Sequence, residues 1–256
     1  MMQLDSTPIV PKNLHLLNKT FKAVLDLVFP RSCVHCNDIV DPSPYDFVCS
    51  RCASDMIKCL PPACNTCGYP FYGVIVSPKT CPHCTELDPV FDQGITLFLA
   101  KRAGRSILHE LKYREGGYVL NDIFTMVKDS KHYLEYLQNA TLVPVPLHPT
   151  KFRERGFNQS EQIANMLVRC TDGNARVEKL LIRKKYTQSQ TCLNRSKRYQ
   201  NVKNAFALAP NTVLNPNELY IIIDDVFTTG STLNACARVL RKAGASHLKV
   251  ATIGHG

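Results

Sequence analysis

The sequence predicts an α/β protein: a mostly parallel, doubly wound sheet preceded by a small cysteine-rich domain. Two observations carry this. From about Val90 onward, apolar runs of strand length alternate with stretches of helical spacing, the pattern of a sheet whose crossovers are helices. Before that, nine of the 12 cysteines fall between Cys33 and Cys84, in a stretch rich in proline and turns and poor in periodicity. Such a stretch cannot build much of a core, so something other than apolar packing must hold it.

The elements follow in order. Residues 1–18 read as a leader, and Lys19–Phe29 as a short amphipathic helix with Phe21, Val24, Leu25 and Val28 at helical spacing, stopped by Pro30. Its length suits packing on its own protein better than membrane anchoring. Ile95–Leu99 is a strand, and Arg105–Tyr113 and Tyr118–Lys128 are helices. Thr141–Val145 is a buried strand, and Gln159–Cys170 a helix with Asn158 as its N-cap. Val177–Ile182 reads as one strand, and Leu219–Ile223 as an apolar strand of the parallel-sheet kind. Ser231–Lys242 is a helix with Gly244 just past its end, and Leu248–Ile253 is the last strand. The expected organisation is a leader and helix at 1–30, a cysteine domain at 31–86 and an α/β domain at 90–256.

At 256 residues and 45% hydrophobic composition the chain can fill a proper core, which excludes wholesale disorder. The net charge of +10 is uneven. Residues 100–256 hold 24 Lys and Arg against 12 Asp and Glu, whereas residues 31–84 balance at four of each sign. A basic excess of this kind suits anionic partners, phosphates or nucleic acid, although net charge alone serves solubility equally well. Lys12, His15, Lys19, Lys22 and Asp26 interrupt every early apolar run before a secretory segment forms, and no run approaches the roughly 18 apolar residues of a membrane span. The expectation is a cytoplasmic protein whose cysteines bind metal rather than form disulfides.

Eight of those cysteines form four CxxC pairs: Cys33/Cys36, Cys49/Cys52, Cys64/Cys67 and Cys81/Cys84. A CxxC turn offers two thiolates from one knuckle, and two knuckles close a tetrahedral zinc site with no position left for water. The role is therefore structural, with about two zinc ions. Pairing in sequence leaves twelve and thirteen residues between knuckles, as in a duplicated ribbon. Interleaved pairing serves the chemistry equally well. Iron–sulfur ligation is the rival, but evenly spaced pairs differ from the tight cysteine runs of ferredoxins. His35 and His83 lie inside knuckles, where they are candidate substitute ligands but read better as exposed spacers.

The sharpest local signal runs from Tyr220 to Thr232. Four apolar residues end in Asp224 and Asp225, then Thr228, Thr229, Gly230, Ser231 and Thr232 open a helix. Backbone N–H groups at such a helix start, with the flanking hydroxyls, form an anion pocket, and Gly230 lets backbone approach a phosphate. The two carboxylates can accept hydrogen bonds from vicinal sugar hydroxyls. A group with both features is a ribose 5-phosphate.

The segment resembles the thirteen-residue binding motif of type I phosphoribosyltransferases. With Leu142–Pro149 leading into Arg153–Gln159, then Thr187–Gln190, Leu193–Arg198 and the cysteine pairs, the resemblance narrows to the ComF/GntX family of competence-type proteins and covers roughly residues 27–256. It implies a type I phosphoribosyltransferase fold binding 5-phosphoribosyl 1-diphosphate with magnesium. Asp224 and Asp225 would hold the ribose hydroxyls, and Thr228–Thr232 the 5-phosphate. A loop with Lys151, Arg153, Arg155 and Gly156 would hold the pyrophosphate. A flexible loop over 184–200, with Gln188, Gln190, Arg195, Lys197 and Arg198, would close the site, and Asp224, Asp225 and Arg155 are the candidate catalytic residues. The residues agree: loop 147–157 places guanidinium groups after a strand, and segment 183–203 has seven Lys and Arg and no acid.

The implied reaction is pentosyl transfer, a displacement at the ribose C1 that releases pyrophosphate and needs charge stabilisation more than a general base. The resemblance also implies DNA uptake in natural competence, with single-stranded DNA and a helicase or other DNA-processing protein as partners. A non-catalytic module is the alternative, sensing phosphoribosyl diphosphate or contacting DNA or a partner through the ribbons. A ribbon-type transcription factor would leave the sugar-phosphate motif idle. Leu111–Gly117, which mixes aromatic and basic residues before a Gly pair, reads either as a helix end or as a nucleic-acid contact.

Overall fold

The computed structural model describes residues 30–73, 80–82, 84–112, 117–184 and 204–256. The expected helix at Lys19–Phe29, His83, Tyr113–Gly116 and the whole of 185–203 lie outside the described residues. Among those described, a five-residue helix α1 (Ser50–Ser54) precedes β1 (Gln93–Leu99), α2 (Arg102–Lys112), a 3-10 turn (Gly117–Val119), α3 (Leu120–Lys128), α4 (Lys131–Leu137) and β2 (Ala140–Pro144). The chain continues through α5 (Pro149–Arg155), α6 (Gln159–Cys170), β3 (Arg176–Val177), β4 (Leu181–Arg183), β5 (Phe206–Leu208), β6 (Leu219–Phe227), α7 (Ser231–Lys242) and β7 (His247–His255).

Five strands form one sheet in the order β1-β7-β6-β2-β3, every pair parallel, and β4 and β5 form a separate antiparallel pair. The expected doubly wound sheet is therefore present. Strand alternation sends successive side chains to opposite faces, and β6 shows the result. Ile221 and Ile223 enter a core with α2, α3, α4 and α6, whereas Tyr220 and Ile222 enter a second core with α7 and the β4–β5 pair. Both faces of the strand are covered, which is why its sequence is a continuous apolar run.

The cysteine region shares these cores. Cys33, Cys49 and Cys52 pack in the first, Cys64, Cys67, Cys81 and Cys84 in the second. The first four-cysteine unit docks through Asp122 of α3, whose buried carboxylate accepts hydrogen bonds from the N–H groups of Asp46 (2.7 Å) and Phe47 (2.9 Å). The Phe47 ring meets Tyr118 edge-on at 4.6 Å. Between the two units, the chain runs antiparallel along the free edge of β1: Cys59 N–H donates to the Leu97 carbonyl, and Leu99 N–H to the Ile57 carbonyl, both at 2.9 Å.

Three expectations are corrected. The Val177–Ile182 strand is two short ones: β3 pairs with β2, while β4 leaves the sheet to pair with β5. Polar Glu178 and Lys179 mark the break. Residues 147–157, read as a loop, contain helix α5, with Pro149 at its first position, the His148 ring accepting from Thr150 N–H (3.2 Å) and Gly156 closing it at φ +83°. Finally, β6 does not stop at Ile223. It runs on to Phe227, because β7 remains in register beside it as far as His255.

Candidate functional site

β2 and β6 are sheet neighbours, but the chain leaves them in opposite directions. β2 leads to β3 on one side, β6 through α7 to β7 on the other. Where connections diverge in this way, the loops at the carboxyl ends separate and leave a crevice, the usual ligand position in open α/β sheets. By that rule the ligand position falls between residues 145–158 and residues 224–232. Its floor is fastened by Val145 N–H to the Ile223 carbonyl (2.9 Å) and by Asn158 Nδ2 to the Val145 carbonyl (3.0 Å). Asn158 is also the N-cap of α6, as expected, accepting from Ser160 N–H at 3.1 Å.

The two carboxylates lie within β6, and consecutive strand positions point to opposite faces, so they have different surroundings. Asp224 is partly exposed; its Oδ1 accepts from Ser160 Oγ at 2.9 Å and from Asp225 N–H at 3.0 Å. Burial pushes its carboxyl up to about 7, and the adjacent Asp225 charge pushes the same way. The Ser160 hydroxyl, the Asp225 N–H and the Lys112 ammonium oppose the rise without cancelling it. Asp225 is buried, with Lys112 Nζ 3.0 Å from its Oδ2. That contact is an ion pair by distance, while its angle falls short of a hydrogen bond, so Oδ2 has no hydrogen-bond partner. Lys112 and Ser160 are site residues that sequence reasoning missed. Lys112 is the last residue of α2, so Leu111–Gly117 does begin as a helix end, but its ammonium turns to β6.

Beyond β6 comes the turn. Gly230 sits at φ +71° and is the N-cap of α7, and the first N–H groups of that helix have no intrahelical acceptors. Thr228 is exposed, Thr229 and Thr232 are half-buried, and Ser231 is buried. Thr229 Oγ1 lies 2.9 Å from Ser231 Oγ and accepts from Ser231 N–H at 3.4 Å, an ST-type turn that orients both hydroxyls.

The basic group of residues 147–157 lies on α5. Arg155 Nη1 donates to Gln159 Oε1 at 2.6 Å, Lys151 lies 3.5 Å from Glu154, and Arg153 is exposed. Gln188, Gln190, Arg195, Lys197 and Arg198 fall outside the described residues. The stems of that segment are described: Lys184 N–H donates to the Ala205 carbonyl at 2.8 Å, closing the β4–β5 pair. The Arg183 guanidinium stacks over Phe206 at 5.3 Å. Burial lowers its pKa, while the Asp224 carboxylate, when ionised, acts to raise it.

The eight CxxC cysteines gather as two sets in sequence order, Cys33, Cys36, Cys49, Cys52 and Cys64, Cys67, Cys81, Cys84, with all sulfurs of a set within 4.8 Å of one another. The interleaved pairing is excluded. Four sulfurs at about 2.3 Å from one zinc lie about 3.8 Å apart at tetrahedral angles. Cys36 and Cys49 are 3.7 Å apart, and Cys67 and Cys81 3.5 Å, so the donor sets fit zinc. At Cys33 burial acts to raise the thiol, but N–H groups of Cys36, Cys49 and His35 outweigh it and hold it at about 7. His35 stays outside the set, exposed and 3.1 Å from Ser106 Oγ. Cys59 and Cys170 are buried singly and their thiols are pushed up to about 12 by burial, so they are inert.

Residues 24–85 match the family model of the double zinc ribbon domain, and the two sets are structural zinc sites. The chain is 28% identical over 224 residues to Competence protein F of Haemophilus influenzae, covering 85% of this chain and 94% of that protein. It is 27% identical to Competence protein ComFC of Streptococcus pneumoniae (73% and 84% covered) and 28% identical to the DNA utilization protein YhgH of Escherichia coli (79% and 86%). Among solved structures it matches a hypoxanthine phosphoribosyltransferase from Staphylococcus aureus at a TM-score of 0.33 and 17% identity, over 52% of this chain and 62% of that one. No helix among the described residues is long and apolar enough to cross a membrane.

Proposed function

We propose that this chain, which belongs to the ComF-type family of competence proteins, binds 5-phosphoribosyl 1-diphosphate in the crevice between β2 and β6. The observation that carries the reading is the placement of a carboxylate and a helix-opening turn at the divergence of two parallel strands. Asp224 stands before the turn and Ser231 begins the helix after it, so sugar hydroxyls and 5-phosphate are served by one continuous stretch. In this reading Thr228, Thr229, Gly230, Ser231 and Thr232 hold the phosphate with helix N–H groups. Asp224, with Asp225 behind it, accepts from the ribose hydroxyls. Lys151, Arg153, Arg155 and the Gly156 backbone face the diphosphate from the β2 side.

Magnesium would arrive with the diphosphate and draw most of its oxygen ligands from it and from the ribose, which asks few ligands of the protein. The reaction that such a site supports is pentosyl transfer. The C1–O bond to pyrophosphate breaks, an acceptor bonds to C1, and cationic side chains take up the charge on the leaving group. The family and the basic excess of residues 100–256 point to single-stranded DNA as the setting of that chemistry, in the cytoplasm, with a DNA-processing protein as partner. The domain division follows the same reading: ribbons at 31–86, phosphoribosyl-binding domain at 90–256.

Calorimetry with phosphoribosyl diphosphate and magnesium tests the binding, and pyrophosphate release with a panel of bases and oligonucleotides tests turnover. Saturable binding lost in Asp224→Ala supports the site. Binding without pyrophosphate release makes the protein a sensor rather than an enzyme, and no binding at all removes the reading.

A further inference from the structure

The second zinc ribbon and the phosphate turn touch. The Cβ that Gly230 lacks would fall 2.7 Å from Leu87 Cδ2 and 2.6 Å from Phe227 Cζ. The turn therefore lies against a side chain that directly follows the second ribbon: a Cβ on that side would have to displace the tips of Leu87 and Phe227, while the φ of +71° by itself favours glycine. Leu87 is held close to the metal knuckle, its N–H donating to the Cys84 carbonyl at 3.0 Å.

Two further links join the same parts. Phe227, the buried last residue of β6, stacks on His255 at 5.3 Å, and Tyr69 meets the same imidazole edge-on at 5.1 Å. Tyr69 follows Cys67 by two residues, and its carbonyl accepts from Cys64 N–H at 2.8 Å. Asn234, in the first turn of α7, accepts from Val90 N–H at 2.9 Å and donates to the Asp88 carbonyl at 2.8 Å. Its own N–H bonds to the Gly230 carbonyl at 2.8 Å. The first ribbon docks elsewhere, through Asp122 and Tyr118.

We infer that the second ribbon is the back wall of the phosphate turn, with Leu87 and Tyr69 as positioning residues that hold the Phe227–Ser231 backbone in its anion-binding shape. Recognition of a phosphate monoester then depends on the second four-cysteine unit and not on the first. The inference rests on the proposed binding reading for its ligand, but not for the contact itself. A cupped set of N–H groups loses affinity when its backbone shifts by a fraction of an ångström. An apolar wall behind a glycine turn is a direct way to prevent that shift.

The test uses the full zinc-loaded chain with Leu87→Ala, Tyr69→Ala, the conservative Leu87→Met and Tyr69→Phe, and Phe47→Ala as the first-ribbon control. Zinc content is measured first and is expected to stay at about two in all five. Hydrogen exchange without ligand should speed up at Thr229–Ser231 in the two alanine variants, stay near wild type in the conservative pair, and be unchanged in Phe47→Ala. Affinity for phosphoribosyl diphosphate should fall about tenfold in Leu87→Ala and recover in Leu87→Met. Unchanged exchange in Leu87→Ala, or equal loosening by Phe47→Ala, overturns the inference. If the wild-type chain does not bind the ligand, the exchange data still decide the wall, and only the ligand reading falls.

Discussion

Ser160 donates its hydroxyl hydrogen to Asp224 Oδ1 at 2.9 Å, tying the start of α6 to β6 across the crevice. The bond favours the ionised carboxylate, yet burial and the Asp225 charge still leave Asp224 titrating at about 7. A carboxyl so poised responds to pH where most carboxylates do not.

The sign follows from proton counting. Between the ordinary carboxyl range and about 7, the folded chain holds a proton on Asp224 that the unfolded chain has lost. Stability of the unliganded protein should therefore fall as pH rises through this window. Ligand affinity should rise over the same window, since ribose hydroxyls need an ionised acceptor. Melting and calorimetry between pH 5 and pH 8, each about a unit apart, check both. Asp224→Asn should flatten both profiles, and Ser160→Ala should move their midpoints upward.

The two acids should behave differently when removed. Asp224→Ala removes a partly exposed, repelled carboxyl but strands the buried Ser160 hydroxyl, so it should lower ligand affinity about ten- to a hundredfold with little net change in melting temperature. Asp225→Ala strands the Lys112 ammonium beside β6. Its cost should lie below the roughly 3–5 kcal/mol of a fully buried pair, since the Lys112 side chain is 34% exposed. Differential scanning calorimetry on the two variants separates these outcomes; equal melting would show that Lys112 contributes nothing to holding Asp225.

Zinc removal should not spare the sheet. The second cysteine set belongs to the same core as Tyr220, Ile222 and α7, and the first to the core of α2, α3 and α6. A chelator is therefore expected to release about two zinc ions and to lower one cooperative transition monitored by both near- and far-ultraviolet circular dichroism. An early transition confined to the cysteine region, with the sheet melting unchanged, would show the ribbons to be independent.

The sequence was most legible where one local signal settled the matter. Gln159–Cys170 and Ser231–Lys242 are helices with the expected limits, because Asn158 and Gly230 mark their starts and apolar residues recur at helical spacing. α4 and α5 escaped notice because seven residues give too few turns for periodicity to emerge. The pairing of cysteine knuckles is a tertiary choice that spacing leaves open, and only the fold closes it. Lys112 and Ser160 lie 113 and 64 positions from their aspartates, so no local pattern could assign them. Gly230 was legible as a turn glycine, whereas its contact with Leu87 was not.

The segment lying along β1 has a consequence for behaviour outside the folded state. A sheet edge with unpaired N–H and C=O groups is a template for another chain, and the β1 sequence Gly-Ile-Thr-Leu-Phe-Leu is the uncharged, β-prone kind that stacks. In this protein the covering strip, residues 57–59, is strung between two zinc units. The metals thus act as clasps on a strap that keeps an adhesive border from meeting its copy in another molecule. Loss of zinc turns a question of shape into one of colloidal stability, in which the concentration of the chain matters as much as its fold.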